Sequence, residues 1–400
     1  MSRPAPIVTT GAPPATVPTR APIAFTQFVL KTHARCNLAC DYCYVYEMAD
    51  QSWRSRPVLI APDVVRQAAV KIGQHAAKHG LATVDIVLHG GEPLLAGADY
   101  LAFIAAQFRE HIEPTTRVEI SLQTNGTLLT PSLLDVLAEH RVGVSVSVDG
   151  SAPDHDLHRR YRDGRGSFGA VAAGLDLLRS GPYSPLYRGL LCTVNLDYDP
   201  IRTYETLTSF SPPKIDLLLP HGNWSQPPPQ RPESTTAAYA DWLCTIFDRW
   251  YDAAEPETEI RFFGEIIHLL LGGASATETI GLTPSTLVVI ETDGSIEQVD
   301  ALKSAYDGAA ATGLNISHDD FDQAARHPAI VARQNGVSSL AETCQECRLL
   351  SVCGGGYYPH RYRQGNGFTN PSVYCVDLQA LIDHIRDRVV ADLGNLRSDQ

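Results

Sequence analysis

Val29-Leu-Lys-Thr-His-Ala-Arg-Cys36-Asn-Leu-Ala-Cys40-Asp-Tyr-Cys43 is the stretch on which the reading of this 400-residue chain turns. A short strand pattern over 25–32 runs directly into three cysteines: Cys36, Cys40 and Cys43. Thiolates are soft ligands that select iron–sulfur clusters or zinc, whereas magnesium and calcium prefer oxygen. A closed structural zinc site wants four ligands. Three in one loop, with no evident fourth beside them, suit a cluster that keeps one iron open. A zinc knuckle that borrows His33 is the other reading, and spacing alone leaves it open.

Outward from this loop a regular alternation sets in. Strand patterns at 25–32, 84–89, 117–123, 142–148, 187–194 and 214–219 interleave with helical patterns at 62–79, 99–112, 131–140, 167–180, 200–210 and 235–253. The clearest helix opens with Pro62 and is followed by Gly80, the usual start and stop residues. Successive βα units imply a parallel sheet, because parallel strands need long crossovers. Six of them can make an open partial barrel or a doubly wound sheet.

The strand ends favour the barrel. They lead into the cysteine loop, His89-Gly-Gly-Glu-Pro93, Gln123-Thr-Asn-Gly126, Ser147-Val-Asp-Gly150, Thr193-Val-Asn195 and Pro220-His-Gly-Asn-Trp224. In a barrel, such loops at the C-terminal strand ends build the active site. Any one of them alone is explained by the turn-forming habits of Gly, Asn and Asp. Beyond the barrel come a proline-rich loop, Gln226-Pro-Pro-Pro-Gln-Arg-Pro232, and helical patterns at 235–253 and 261–271. A hairpin over 287–299 follows, closed by Asp293-Gly294, a type I′ turn signal. A loop-rich stretch holds Cys344, Cys347, Cys353 and Cys375, and a helix over 376–392 ends the pattern. The expected divisions are a flexible Pro-rich tail at 1–24, a barrel at 25–234, a helical bridge at 235–284 and a cysteine-bearing domain at 285–400.

Composition narrows the partners. With 45 acidic against 32 basic side chains, net charge −13, the chain is a poor ligand for nucleic acid or an anionic membrane. No apolar run is long enough to span a bilayer, and the first 24 residues lack the apolar stretch of a secretory signal. The expected compartment is the reducing cytoplasm, where nine cysteines point to metal ligation and not to a disulfide framework.

The cysteine loop after the first strand, Gly90-Gly-Glu-Pro after the second and the six βα units together resemble the radical S-adenosylmethionine (SAM) enzymes. The resemblance implies an α/β fold, a partial (β/α)6 TIM-like barrel. It implies that Cys36, Cys40 and Cys43 hold a [4Fe–4S] cluster whose open iron chelates SAM. An electron from that cluster cleaves SAM to methionine and a 5′-deoxyadenosyl radical, which takes hydrogen from the substrate. By the same resemblance Gly90, Gly91 and Glu92 bind the methionine amine and Tyr42 lies near the adenine. Ser147 and Asp149 contact the methionyl or ribose groups, and Arg159 pairs with the carboxylate. Read without the resemblance, Ser147 and Asp149 are ordinary strand-end residues and Arg159 a solvated charge.

Cys344-x2-Cys347-x5-Cys353 with Cys375 is a four-thiolate set. Alone it fits a zinc ribbon as well as an iron–sulfur cluster. Within the resemblance it looks like part of a SPASM domain, which carries seven cysteines and two auxiliary [4Fe–4S] clusters. Two positions where that pattern has cysteine hold Tyr357 and Val299 here, and both belong to the same auxiliary cluster. The expectation is therefore two clusters in all, one binding SAM and one fully ligated auxiliary centre serving electron transfer or structure. Asp300 matches an acid that related maturases are thought to use as a base; it also reads as a turn-flanking surface residue. His360 and Arg361 face either substrate or solvent, and Cys192 and Cys244 read as small buried hydrophobes.

Four longer stretches are similar to the FxsB-type radical SAM/SPASM maturases: Cys43–Trp53, Leu217–Trp224, Glu291–Asp300 and Cys353–Tyr362. That resemblance implies installation of a three-residue cyclophane in a short ribosomal precursor peptide, an aromatic ring carbon bonded to a side-chain β-carbon. It implies a flavodoxin- or ferredoxin-type reductant as the second partner. The 24 residues before the barrel are too few for a winged-helix peptide-recognition domain, so the precursor is expected at the barrel mouth, the proline-rich loop or the C-terminal domain. Two alternatives stand beside it: a sulfatase-type maturase that oxidises Ser or Cys to formylglycine, and a non-enzymatic iron–sulfur or zinc scaffold.

Overall fold

The structure is a computed structural model and describes residues 22–112, 116–229, 236–254 and 258–398. The expected tail at 1–24 lies almost wholly outside the described residues, as does part of the proline-rich loop.

Seven strands run in chain order across one sheet: β1 Gln27–His33, β2 Thr83–Gly90, β3 Arg117–Thr124, β4 Val142–Ser147, β5 Tyr187–Thr193, β6 Lys214–Leu218 and the short β7 Glu259–Ile260. Every neighbouring pair is parallel, with Gln27 opposite Asp85, Thr83 opposite Arg117 and Leu190 opposite Ile215. Unbroken sequential order distinguishes a partial barrel from a doubly wound sheet, whose order reverses at a switch point. The crossovers are α1 Pro62–His79, α2 Ala98–Ile112, α3 Pro131–Glu139, α4 Ala152–His158, α5 Phe168–Leu178, α6 Pro200–Thr208, α7 Ala238–Tyr251 and α8 Arg261–Leu270. Local chemistry sets their ends. Proline occupies the first turn of α1, α3 and α6. Thr130 and Asp199 accept backbone N–H bonds as N-caps, and Gly80 closes α1 at φ +61°. The strands bury Phe28, Leu30, Ile86, Leu88, Ile120, Leu122, Val144 and Val146 in one core with α1, α2 and α5.

Three features depart from the sequence reading. The hairpin is not a separate layer: β8 Leu287–Ile290 pairs in parallel with β1, and β9 Ser295–Glu297 and β10 Ala311–Asn315 extend the sheet antiparallel to make ten strands. The cysteine-bearing region is thus anchored to the first barrel strand, the one that feeds the cysteine loop. The expected type I′ turn is also corrected. Such a turn needs positive φ at both central residues. Here only Gly294 is left-handed, at φ +82°, while its N–H bonds the Glu291 carbonyl and Glu291 N–H bonds Ser295, a type I turn followed by a glycine bulge. Helix α4, absent from the sequence reading, carries the chain to Arg159.

Candidate functional site

At the C-terminal strand ends a cavity of about 420 Å³ is lined by Cys36, Cys40 and Cys43 on one side and by Asp300, Tyr357 and His360 on the other. Its position follows from the topology, because β8 brings the cysteine-bearing region beside β1.

The cysteine loop is held from two directions. Ala39 N–H donates to the Arg160 carbonyl at 2.7 Å, and Arg162 to the Cys36 carbonyl at 3.3 Å. From beneath, Gly91 N–H bonds the His33 carbonyl and Glu92 N–H the Arg35 carbonyl. Gly91 is required by closeness: a Cβ there would stand 1.8 Å from the Tyr46 hydroxyl and 2.5 Å from the Arg35 carbonyl. Leu38 N–H and Asn125 Nδ2 both donate to the Cys36 sulfur.

Gly90, Gly91, Ser147, Asp149, Tyr42 and Arg159 all line the cavity. Glu92 does not. It is fully buried, and its carboxylate accepts from Leu94 N–H at 3.0 Å, Thr124 Oγ1 at 2.7 Å and Asn125 N–H at 2.7 Å. With three donors already on it, Glu92 holds the floor that joins the β2 and β3 loops. Arg159 is no solvated charge: it is buried and donates to the Tyr42 hydroxyl at 2.8 Å, with Asp149 at 3.7 Å. Tyr42 donates in turn to Asp149, whose other oxygen accepts Thr193 N–H at 2.9 Å. His155 of α4 braces this arrangement between Asp149 N–H and Ser167. Ser147 accepts from Gln123 at 2.9 Å.

Asp300 reaches the cavity, but not as a free carboxylate. Lys31, buried within β1, donates to it, the Tyr44 hydroxyl lies at 3.0 Å, and Lys31 also meets His89 Nδ1 at 2.9 Å. The Lys31 ammonium outweighs burial and holds the Asp300 carboxyl well below the usual range, which makes it a weak proton acceptor. Behind it Lys303, Glu291, Glu297 and Arg56 form a second buried charge cluster at the hairpin.

Cys344, Cys347, Cys353 and Cys375 lie in the segment from Glu342–Gln345 to the first turn of the C-terminal helix Cys375–Ser398. Gly354, Gly355 and Gly356 are all left-handed, and a Cβ on Gly354 would fall 1.7 Å from the Gly281 carbonyl. Arg361 is buried and turned away from the cavity: it donates to the Gly354 and Gly356 carbonyls and lies near the Cys344 and Cys353 sulfurs. His360 is buried too, but lines the cavity. Cys192 belongs to the core and Cys244 packs against it, as expected.

Both cysteine sets fit multi-iron clusters better than single ions. Four thiolates on one zinc stand about 3.8 Å apart, given Zn–S bonds of about 2.3 Å in a tetrahedron. Among the described residues no three cysteine sulfurs lie within 4.8 Å of one another. Burial pushes the Cys36 thiol up to about 11 and those of Cys40 and Cys353 up to about 12, so their thiolates need a cationic centre for compensation. The trio that does lie that close, His75, His79 and Asp322, is an ion-paired strap. His75 Nε2 already accepts Phe25 N–H, so its proton sits on Nδ1 facing Asp322, and Lys78 occupies the other carboxylate oxygen.

The residues that sequence reasoning missed are Lys31, Tyr44, His89 and His221. A lysine inside an otherwise apolar strand, Phe28-Val-Leu-Lys, was the available signal. His221 stood in a quoted strand-end loop, but nothing in the sequence said it faced Tyr357 and His360.

Residues 30–207, most of the N-terminal barrel, match the model of the Radical SAM superfamily. The whole chain is 22% identical over 369 residues to the cysteine-type anaerobic sulfatase-maturating enzyme of Clostridium perfringens, covering 90% of this chain and 96% of that one. It is 24% identical over 397 residues to the serine-type enzyme of Bacteroides thetaiotaomicron, with 92% and 91% covered. The solved structure of native anSMEcpe with bound AdoMet and Cp18Cys peptide shares the fold at TM-score 0.79 and 21% identity, over 92% of this chain and 99% of that one. No helix among the described residues is long and apolar enough to cross a membrane.

Proposed function

We propose that this chain is a radical SAM peptide maturase that installs a three-residue cyclophane, bonding an aromatic ring carbon to the β-carbon of a nearby residue in a precursor peptide. On this reading Cys36, Cys40 and Cys43 hold a [4Fe–4S] cluster, and Cys344, Cys347, Cys353 and Cys375 hold an auxiliary one. Gly90, Gly91, Ser147, Asp149, Tyr42 and Arg159 enclose SAM between them. When bound, SAM and its cluster supply a 5′-deoxyadenosyl radical that removes one hydrogen atom from the peptide. The protein's part is to place one β-carbon, exclude water and accept the electron and proton that leave when aromaticity returns.

One observation carries the preference for an aromatic substrate. A row of rings lines the cavity from the end of the cysteine loop across to the C-terminal segment: Tyr44 and His221 at 4.7 Å between centroids, His221 and His360 at 6.0 Å, Tyr357 and His360 at 5.3 Å. Such a wall favours a planar aromatic side chain by edge-to-face contact, and gives a Ser or Cys side chain little to bind. The second reading, oxidation of Ser or Cys to formylglycine, draws on the near-full-length likeness to the two sulfatase-maturating enzymes.

Anaerobic co-expression with short peptides encoded nearby, followed by tandem mass spectrometry, separates the two. Cyclophane formation removes two hydrogens from an aromatic-x-x segment, keeps every heavy atom and blocks fragmentation between the joined residues. An aldehyde in place of a Ser or Cys side chain would turn the conclusion to the second reading.

A further inference from the structure

His221 sits in the loop after β6, and its ring lines the cavity. Nδ1 of His221 and Nε2 of His360 are both buried, with no hydrogen-bond partner among the described residues. Buried polar atoms left unpaired are uncommon, and two on facing rings in one cavity call for an explanation. The other candidate acceptors are engaged. Asp300 holds Lys31 and Tyr44, and Asp149 holds Tyr42 and Thr193 N–H.

We propose that His221 takes the proton that the substrate releases in this cavity. The inference rests on the reading above only in requiring a peptide that loses a hydrogen atom, an electron and a proton. For the crosslink the balance is as follows. The β-carbon loses its hydrogen atom to the deoxyadenosyl fragment of SAM. The carbon radical bonds to the ring, and the ring adduct gives one electron to an iron–sulfur cluster. The ring C–H then breaks, leaving its electron pair in the restored π-system and its proton on the imidazole. Net, the peptide loses two hydrogens.

Electrostatics separates the two imidazoles. The groups facing His221 are Tyr44 from the cysteine loop, Tyr357 and His360 from the Cys353–Tyr362 segment, and Asp300 after β9. Of these only Asp300 is charged, and its carboxylate favours an imidazolium at His221. His360 instead lies against the Arg361 cation and against His221 itself, both of which oppose charge on it. Burial holds His221 down to about 4, so it is neutral and ready to accept at neutral pH. An oxidised ring adduct is a much stronger acid than an imidazolium, so this weak base suffices.

The test uses the reconstituted holoenzyme and a peptide that the wild type modifies. His221→Asn is expected to release 5′-deoxyadenosine near the wild-type rate while modified peptide per deoxyadenosine falls about 100-fold, the usual worth of a general base. Peptide affinity, measured by fluorescence anisotropy on the unreduced protein, is expected to fall several-fold at most with the loss of one ring from the wall, so the ratio is read at saturating peptide. His360→Asn is expected to change the ratio much less. An unchanged ratio in His221→Asn overturns the proposal, as does a loss of affinity that accounts for the lost product. His221→Gln gives a second variant of closer volume. Should neither fold, ¹³C-histidine NMR of the wild type decides, with the His221 ring assigned through its contacts to Tyr44. A neutral ring at pH 7 supports the assignment, and a protonated one overturns it. If the wild type yields an aldehyde, the crosslinking reading falls while the His221 ratio is still read on that product.

Discussion

Cys40→Ala is expected to abolish 5′-deoxyadenosine release under anaerobic reduction, whereas Cys347→Ala keeps part of that release and loses modified peptide. The two cysteines are both thiols in iron-binding sequences, but they stand in different places. Cys40 lines the cavity together with Arg159 and Asp149, in a loop whose backbone is stitched to the segment after α4 and to the Gly90-Gly91-Glu92 turn. Removing its sulfur leaves two thiolates, too few to hold a cluster that must also keep one iron open. The loop itself survives, because its hydrogen bonds are made by backbone and by Asn125, not by Cys40. Cys347 lies in the C-terminal set, away from the cavity lining, and on the proposed reading its loss touches the step that follows hydrogen removal. Iron and sulfide analysis gives the companion measurement: each variant is expected to lose about four irons per chain while the other cluster remains. Deoxyadenosine release that persists in Cys40→Ala would remove the foundation of the functional reading.

Much of the barrel was legible because its signals are local. Most strands are short β-branched or leucine-rich runs that end in polar loops, several of them glycine-bearing, and α1, α3 and α6 carry proline in the first turn. The cysteine spacing is likewise a property of one segment. What remained hidden depends on contacts between segments far apart in sequence. Nothing near Leu287 announces that this strand will pair with Gln27–Leu30, and that pairing brings Asp300 over Lys31. The family resemblance makes Glu92 a cofactor contact; only the fold shows that Thr124 and Asn125 from the next strand end claim its carboxylate. Tyr357 was noticed as a missing cysteine. Its positive role, a ring set against His221 and His360, appears only once the β6 loop and the C-terminal segment face each other.

Lys31→Met is expected to destabilise the fold strongly, and the loss should grow with pH. In the wild type the buried ammonium bonds Asp300 and His89, with side-chain exposures of 4% for Lys31 and 12% for Asp300. Methionine fills the volume but leaves a buried carboxylate whose remaining close partner is the Tyr44 hydroxyl at 3.0 Å. Breaking one side of a buried pair costs about 3–5 kcal/mol. The pH dependence follows from the sign of the shift. In the wild type Asp300 is held below its ordinary value, so its contribution is present above the unfolded carboxylate pKa and is lost as pH falls through the folded one. Without Lys31, burial, the largest influence on this carboxyl, is opposed by the weaker pull of His89 and Lys303, and the folded pKa is expected to rise above the unfolded one. The variant is then least handicapped in acid, and loses stability as pH rises from the unfolded value through the raised one. Urea denaturation midpoints at pH 5 and pH 7 read this directly: the gap between wild type and variant should widen at the higher pH. Lys31→Met combined with Asp300→Asn removes the stranded charge and should recover most of the loss, with a gap that no longer depends on pH. A double variant no more stable than the single one would show that Lys31 matters for packing and not for the charge it neutralises.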